Sequence, residues 1–134
     1  MTRFFLENLN APAGNHATLF QTSPRLRNFP EDYVAFMMNN NGGEGFLGES
    51  EYLILWPIEA IDHLNTAYEV DEYAPGLVLF GSSGGGEAYA FDRRSARAAI
   101  VEVPFVGMNL DLASPISSSF TDFLEQLRQG WSDK

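Results

Sequence analysis

Pro75-Gly76-Leu77-Val78-Leu79-Phe80-Gly81-Ser82-Ser83-Gly84-Gly85-Gly86-Glu87-Ala88-Tyr89-Ala90-Phe91-Asp92 is the stretch on which the fold turns. Leu77 to Phe80 is an unbroken apolar run, and its length suits a strand buried on both faces. Glu87 to Phe91 alternates as a strand does, and Gly81 to Gly86 lies between the two runs. The pair reads as an antiparallel hairpin.

Upstream, Gly45 to Gly48 and Tyr52 to Trp56 read as two more strands, joined by the acidic turn Glu49-Ser50-Glu51. Pro57 closes the second and opens a helix. In that helix Ile58, Ile61, Leu64 and Tyr68 share a face, while Glu59, Asp62 and Asn65 are expected to point elsewhere. Pro30 to Asn39 is a further helix, with Glu31 and Asp32 in the first turn, where the dipole favours anions. Tyr33, Phe36 and Met37 form its apolar face, and Asn39-Asn40-Asn41-Gly42-Gly43 ends it.

Downstream, Ile100 to Val103 is another strand. The last helix carries the stripe Phe120, Phe123, Leu124, Leu127, Trp131, with Ser119 and Asp122 spaced as a capping box and Gly130 near its end. Asn10 to Gln21, rich in Asn, Pro, Ala and Gly, is expected to be irregular. The whole reads as one α+β domain, a mostly antiparallel sheet packed by helices. Residues 1–28 form an irregular segment packed on a domain that runs from 29 to 134.

At 134 residues, 45% of them hydrophobic, the chain can bury a core without a metal or disulfide staple, and it has no cysteine. No run approaches the roughly 20 apolar residues of a membrane span. Arg3 before Phe4-Phe5-Leu6 hints at a leader, but Glu7 cuts the apolar stretch short. A cytoplasmic location is therefore expected, with no membrane contact.

Net charge is −10, and its distribution is uneven. Between Asn28 and Asp92 there are twelve acids and no Lys or Arg. Such a field repels nucleic acid and attracts a basic partner. The candidate partner-binding residues are Glu44, Glu49, Glu51, Glu69, Asp71, Glu72 and Glu87. The competing reading of the charge is plain solubility.

Catalytic patterns lack their context. Gly81-Ser82-Ser83-Gly84-Gly85 matches G-x-S-x-G, but a strand follows where a nucleophile elbow needs a helix, and both His16 and His63 lie upstream. The loop also lacks the Lys-Ser/Thr of a phosphate-binding loop. Glu69, Asp71 and Glu72 do not have calcium-loop spacing, and His63 with Glu59 is a surface i,i+4 pair. No catalytic residue, metal or cofactor is expected. Trp56 is either an exposed binding anchor or, more in keeping with its apolar strand, a core residue.

The ordered set Phe29-Pro30-Glu31-Asp32-Tyr33, Asn41-Gly42-Gly43-Glu44-Gly45-Phe46, Leu55-Trp56, Pro75 to Gly81, Gly84 to Asp92, Val103-Pro104-Phe105 and Ser119-Phe120 to Leu124 resembles the SUKH superfamily. That superfamily includes fungal cell-wall-assembly regulators and many bacterial proteins. The likeness runs from Phe29 to Leu127. The first 28 residues depart from the family start, where a helix is expected. The resemblance implies an α+β fold without catalytic residues. It also implies a role as an immunity protein that neutralises a toxin, often a nuclease, or as an adaptor that docks on a cellular protein. A small-ligand site near the Gly-rich hairpin is a third reading. Gly42, Gly43, Trp56 and Gly81 read as fold determinants.

Overall fold

The computed structural model describes residues 8–12, 14–47, 51–94 and 99–129. Among these residues seven strands form one sheet in chain order: β1 Asn8–Leu9, β2 Gly43–Leu47, β3 Glu51–Leu55, β4 Leu77–Ser82, β5 Glu87–Asp92, β6 Ala99–Pro104 and β7 Ser114–Ser117. Every neighbouring pair is antiparallel. The Gly-rich stretch is the turn of the β4–β5 hairpin, as its composition implies. All six residues of β4 are buried, so this strand has both faces covered.

Among the described residues, five α-helical segments accompany the sheet: α1 Leu19–Thr22, α2 Glu31–Asn39, α3 Ile58–Ala67, α4 Val70–Tyr73 and α5 Phe120–Gln129. Helix α5 lies across β2, β3 and β7 and against α2, while α3 and α4 lie against β4. Ser119 Oγ accepts the Asp122 N–H at 3.1 Å, which is half of the expected capping box. The Ser119 N–H goes instead to Ser117 Oγ. Asp32 joins the two helix starts: one carboxylate oxygen takes both the N–H and the hydroxyl of Thr121, at 2.9 and 3.0 Å. Phe120, Phe123, Leu124 and Leu127 are buried, while Gly130 and Trp131 lie outside the described residues.

The core between α2, α5 and the sheet is aromatic. The Tyr33 ring has Phe29, Phe80, Phe91 and Phe120 within 5.0–5.7 Å, mostly edge to face. Its hydroxyl is fully buried and has no hydrogen-bond partner among the described residues. Burial pushes that phenol far above its ordinary pKa. An unpaired buried hydroxyl costs about 1–3 kcal/mol. Tyr33→Phe keeps every ring contact and removes that cost. It is expected to stabilise the fold by about 1 kcal/mol, read as a melting temperature raised by roughly 3–5 °C. A lower melting temperature would mean that the hydroxyl does have a partner.

Several expectations are corrected. The strands expected at Gly45–Gly48 and Tyr52–Trp56 begin earlier, at Gly43 and Glu51, and Trp56 falls just past β3. Its backbone N–H still bonds the Phe80 carbonyl, and the residue is only 9% exposed. Within the segment expected to be irregular, Gly14–Thr18 is a 3₁₀ helix and Leu19–Thr22 an α-turn. Phe20 anchors it by packing edge-on to Tyr33. Tyr68 is the cap of α3 and is exposed, not part of a buried face.

The largest correction concerns Asn65. It was expected to point away from the apolar face, yet it is completely buried. Strand β3 pairs with β4 only at Ile54–Ser82 and Leu55–Gly81 before the chain turns into α3. The Leu79 peptide groups are left without a strand partner on that side. The Asn65 amide supplies one: its Oδ1 accepts the Leu79 N–H at 2.9 Å, and its Nδ2 donates to the Leu79 carbonyl at 3.0 Å. A primary amide has the donor and acceptor of a peptide group, so it continues the ladder where the strand stops.

Candidate functional site

The register decides where the acids stand. Partners across a ladder share a face, and successive residues alternate. Glu44 pairs with Ile54, Ile54 with Ser82, and Ser82 with Ala88, which puts Glu44 on one face. Tyr89 pairs with Gly81 on one side and Glu102 on the other, and Gly81 pairs with Leu55. Glu51, Glu87 and Glu102 therefore share the Tyr89 face, opposite Glu44. All four stand at the end of the sheet where the β4–β5 turn lies. Burial, with the charges of Glu102, Glu51 and Glu87 added to it, pushes the Tyr89 phenol well above its ordinary pKa.

The Gly-rich turn folds over the Glu44 face. A Cβ on Gly84 would come within 3.0 Å of the Tyr52 ring, and Tyr52 donates its hydroxyl to Glu44 at 2.6 Å. Phe46 packs edge-on to Tyr52 at 5.0 Å and is 48% exposed. Ser83 donates to Glu87 Oε1 at 3.2 Å. Ser83 is thus a turn residue: no histidine approaches it within hydrogen-bonding distance among the described residues.

Glu69, Asp71 and Glu72 lie at the corner between α3 and α4. Glu69 adopts a left-handed conformation, with φ 55°, and so redirects the chain. Val70 and Ala74 anchor the corner in the core. Glu72 and Glu69 sit beside the exposed Tyr73 and raise its phenol pKa.

Other acids of the cation-free span have internal partners. Asp62 accepts from Ser23 and from Arg25 at 2.8 and 2.9 Å, and Arg25 also reaches Asp71 at 3.1 Å. Asp71, one of the candidates, is thus tied to the N-terminal segment. Asn41 donates to Glu59 at 2.6 Å. The Arg94 guanidinium holds Asp92 below the usual carboxylate range. Arg128 pairs with Glu125, and Arg93 donates to the carbonyls of Arg25 and Arg27. Among the described residues, no ion pair reaches Glu44, Glu69, Glu72 or Glu87. Glu49 lies outside the described residues. Sequence reasoning missed Glu102, because it follows the arginines that bound the cation-free span. Only its pairing with Tyr89 brings it to the others.

No group of three or more His, Cys, Asp or Glu side chains suited to a metal occurs among the described residues. None of their helices is long and apolar enough to cross a membrane.

The arrangement is that of an α+β domain with an antiparallel sheet whose turn end gathers carboxylates and half-exposed aromatics. The profile of the SMI1 / KNR4 family (SUKH-1) matches residues 26–126, and the chain belongs to that family. No curated protein matches it. Membership fits an immunity-type or regulator-like domain that binds other proteins.

Proposed function

We propose that this chain is a non-catalytic protein-binding domain, acting in the cytoplasm, that neutralises a cognate bacterial toxin by docking on it through the acidic turn end of the sheet. One observation carries the reading. Glu44 and Glu87 at that end, like Glu69 and Glu72 at the α3–α4 corner, have no ion pair among the described residues, while Arg25, Arg94 and Arg128 are engaged elsewhere. A basic cleft, such as the substrate groove of a nuclease domain, complements that surface.

Co-expression with the product of a neighbouring toxin gene tests it. Cell survival and a stable complex are expected. The association rate constant should fall by about tenfold or more between low and physiological salt. The double charge reversal Glu44→Lys with Glu87→Lys should slow association to a similar degree. A complex indifferent to salt and to both reversals would remove the electrostatic basis.

The second reading, an adaptor on a cellular protein, uses the same surface. An orphan locus, together with capture of a housekeeping partner, would favour it.

A further inference from the structure

The α3–α4 corner adjoins a second feature. Tyr68, Tyr73, Phe105, Gly107 and Met108 line a cavity of about 360 Å³. Tyr68 and Phe105 make one wall, with ring centres 4.8 Å apart, and Trp56 stacks behind both at 6.4 and 6.5 Å. Met108, 7% exposed, is the fixed part of the lining. Tyr73 is 51% exposed and Tyr68 41%. The Phe105 backbone is held to the Gly-rich turn: its N–H bonds the Gly86 carbonyl at 2.9 Å.

Large exposed aromatic faces around a cavity stand out on a soluble surface. Here they coincide with negative charge. Glu69 directly follows Tyr68 and Glu72 directly precedes Tyr73 at the α3–α4 corner, so both carboxylates are carried next to residues that line the cavity, and their charge makes ionisation of the Tyr73 phenol harder. Ring faces are themselves electron-rich, and with carboxylates at the rim they favour a cation. The volume is at the small end of ligand cavities, so it suits a single side chain and not a cofactor.

We infer that this cavity is the seat of an arginine side chain presented by the protein partner. The proposal rests on the docking reading above and names what the partner inserts. Arginine fits better than lysine because its guanidinium is planar, stacks on ring faces and is weakly hydrated. The chain already makes that contact internally: the Arg93 guanidinium lies 5.3 Å from the centre of the Phe29 ring. Glu69 and Glu72 then supply the anionic rim that a guanidinium fork bonds.

The test titrates the full chain with N-acetyl-arginine amide and follows the aromatic signals of Tyr68, Tyr73 and Phe105 and the Met108 methyl by NMR. Saturable shifts confined to these residues are expected. Binding should weaken about fivefold in Glu72→Gln and vanish in Tyr73→Ala, a substitution at an exposed site that leaves the core intact. N-acetyl-citrulline amide, the uncharged isostere, should give no saturable shift. Absence of saturation with the arginine probe, or equal shifts with the citrulline probe, would overturn the assignment. So would a response unchanged in Tyr73→Ala. The two proposals fail separately. If the co-expressed toxin binds Tyr73→Ala as tightly as the parent, the cavity is not the arginine seat, and acidic docking stands. If the probe binds but no basic partner is retained at any salt concentration, the docking reading falls and the cavity remains a guanidinium site.

Discussion

Asn65→Leu destabilises the fold by about 4 kcal/mol, enough to lower the melting temperature by more than 10 °C. The side chains are nearly equal in size, so the loss is not one of volume. It arises at Leu79, whose N–H and carbonyl both bond to the Asn65 amide and are buried. Each buried backbone group left without a partner costs about 1–3 kcal/mol. The extra apolar contact from leucine offsets only part of this. The loss should be local at first. Hydrogen exchange at Leu79 is expected to accelerate more than at Phe91, which lies in the core on the other side of the hairpin. Thermal unfolding together with exchange at these two amides measures the effect. Unchanged stability would mean that Leu79 finds another partner.

Asn65 also shows where the sequence stops being readable. By period it stands with the core, four residues after Ile61 and seven after Ile58, both buried. Its polarity assigns it to the outer face with Glu59 and Asp62. Position was the better guide, because at Leu79 the strand beside the helix has no ladder partner on that side and an amide can stand in for one. Nothing local to α3 reports that. The hairpin from Leu77 to Asp92 was legible because its pattern is set by burial on both faces and a Gly-rich turn, both local properties. The stripe of α5 was legible for the same reason.

The candidate surface was legible in charge but not in shape. The acid-only span pointed to Glu44, Glu69, Glu72 and Glu87, which carry no ion pair among the described residues. It could not separate them from Asp71, whose arginine partner, Arg25, lies tens of residues away in the chain. It could not include Glu102, nor the Tyr68, Tyr73, Phe105 cavity, whose walls are brought together by the α3–α4 corner and the end of β6. These depend on register and on helix direction, which no short window contains.

Gly81 is where fold and surface meet, and Gly81→Ala is expected to cost roughly 3 kcal/mol or more. A Cβ built on Gly81 would stand 2.3 Å from the Ile54 carbonyl oxygen and 3.4 Å from the Leu55 Cα. Both obstacles are backbone, so no side-chain rotation relieves the contact. Only separation of β3 from β4 does, and these strands share just the pairs Ile54–Ser82 and Leu55–Gly81. Splaying them carries off Ile54 and Tyr52, against which Gly84 of the turn rests, and with Tyr52 the Glu44 carboxylate it bonds. The expected result is therefore twofold. Hydrogen exchange in β2 and β3 should rise well above that in β5 and β6. Retention of a co-expressed basic partner should drop more than the fall in overall stability accounts for, because the charged end of the sheet loses its geometry while α5 and the aromatic core persist. If Gly81→Ala folds with β3 fully protected, the close approach has relaxed by another route. If it splays β3 and still holds the partner, docking does not involve the Glu44 face.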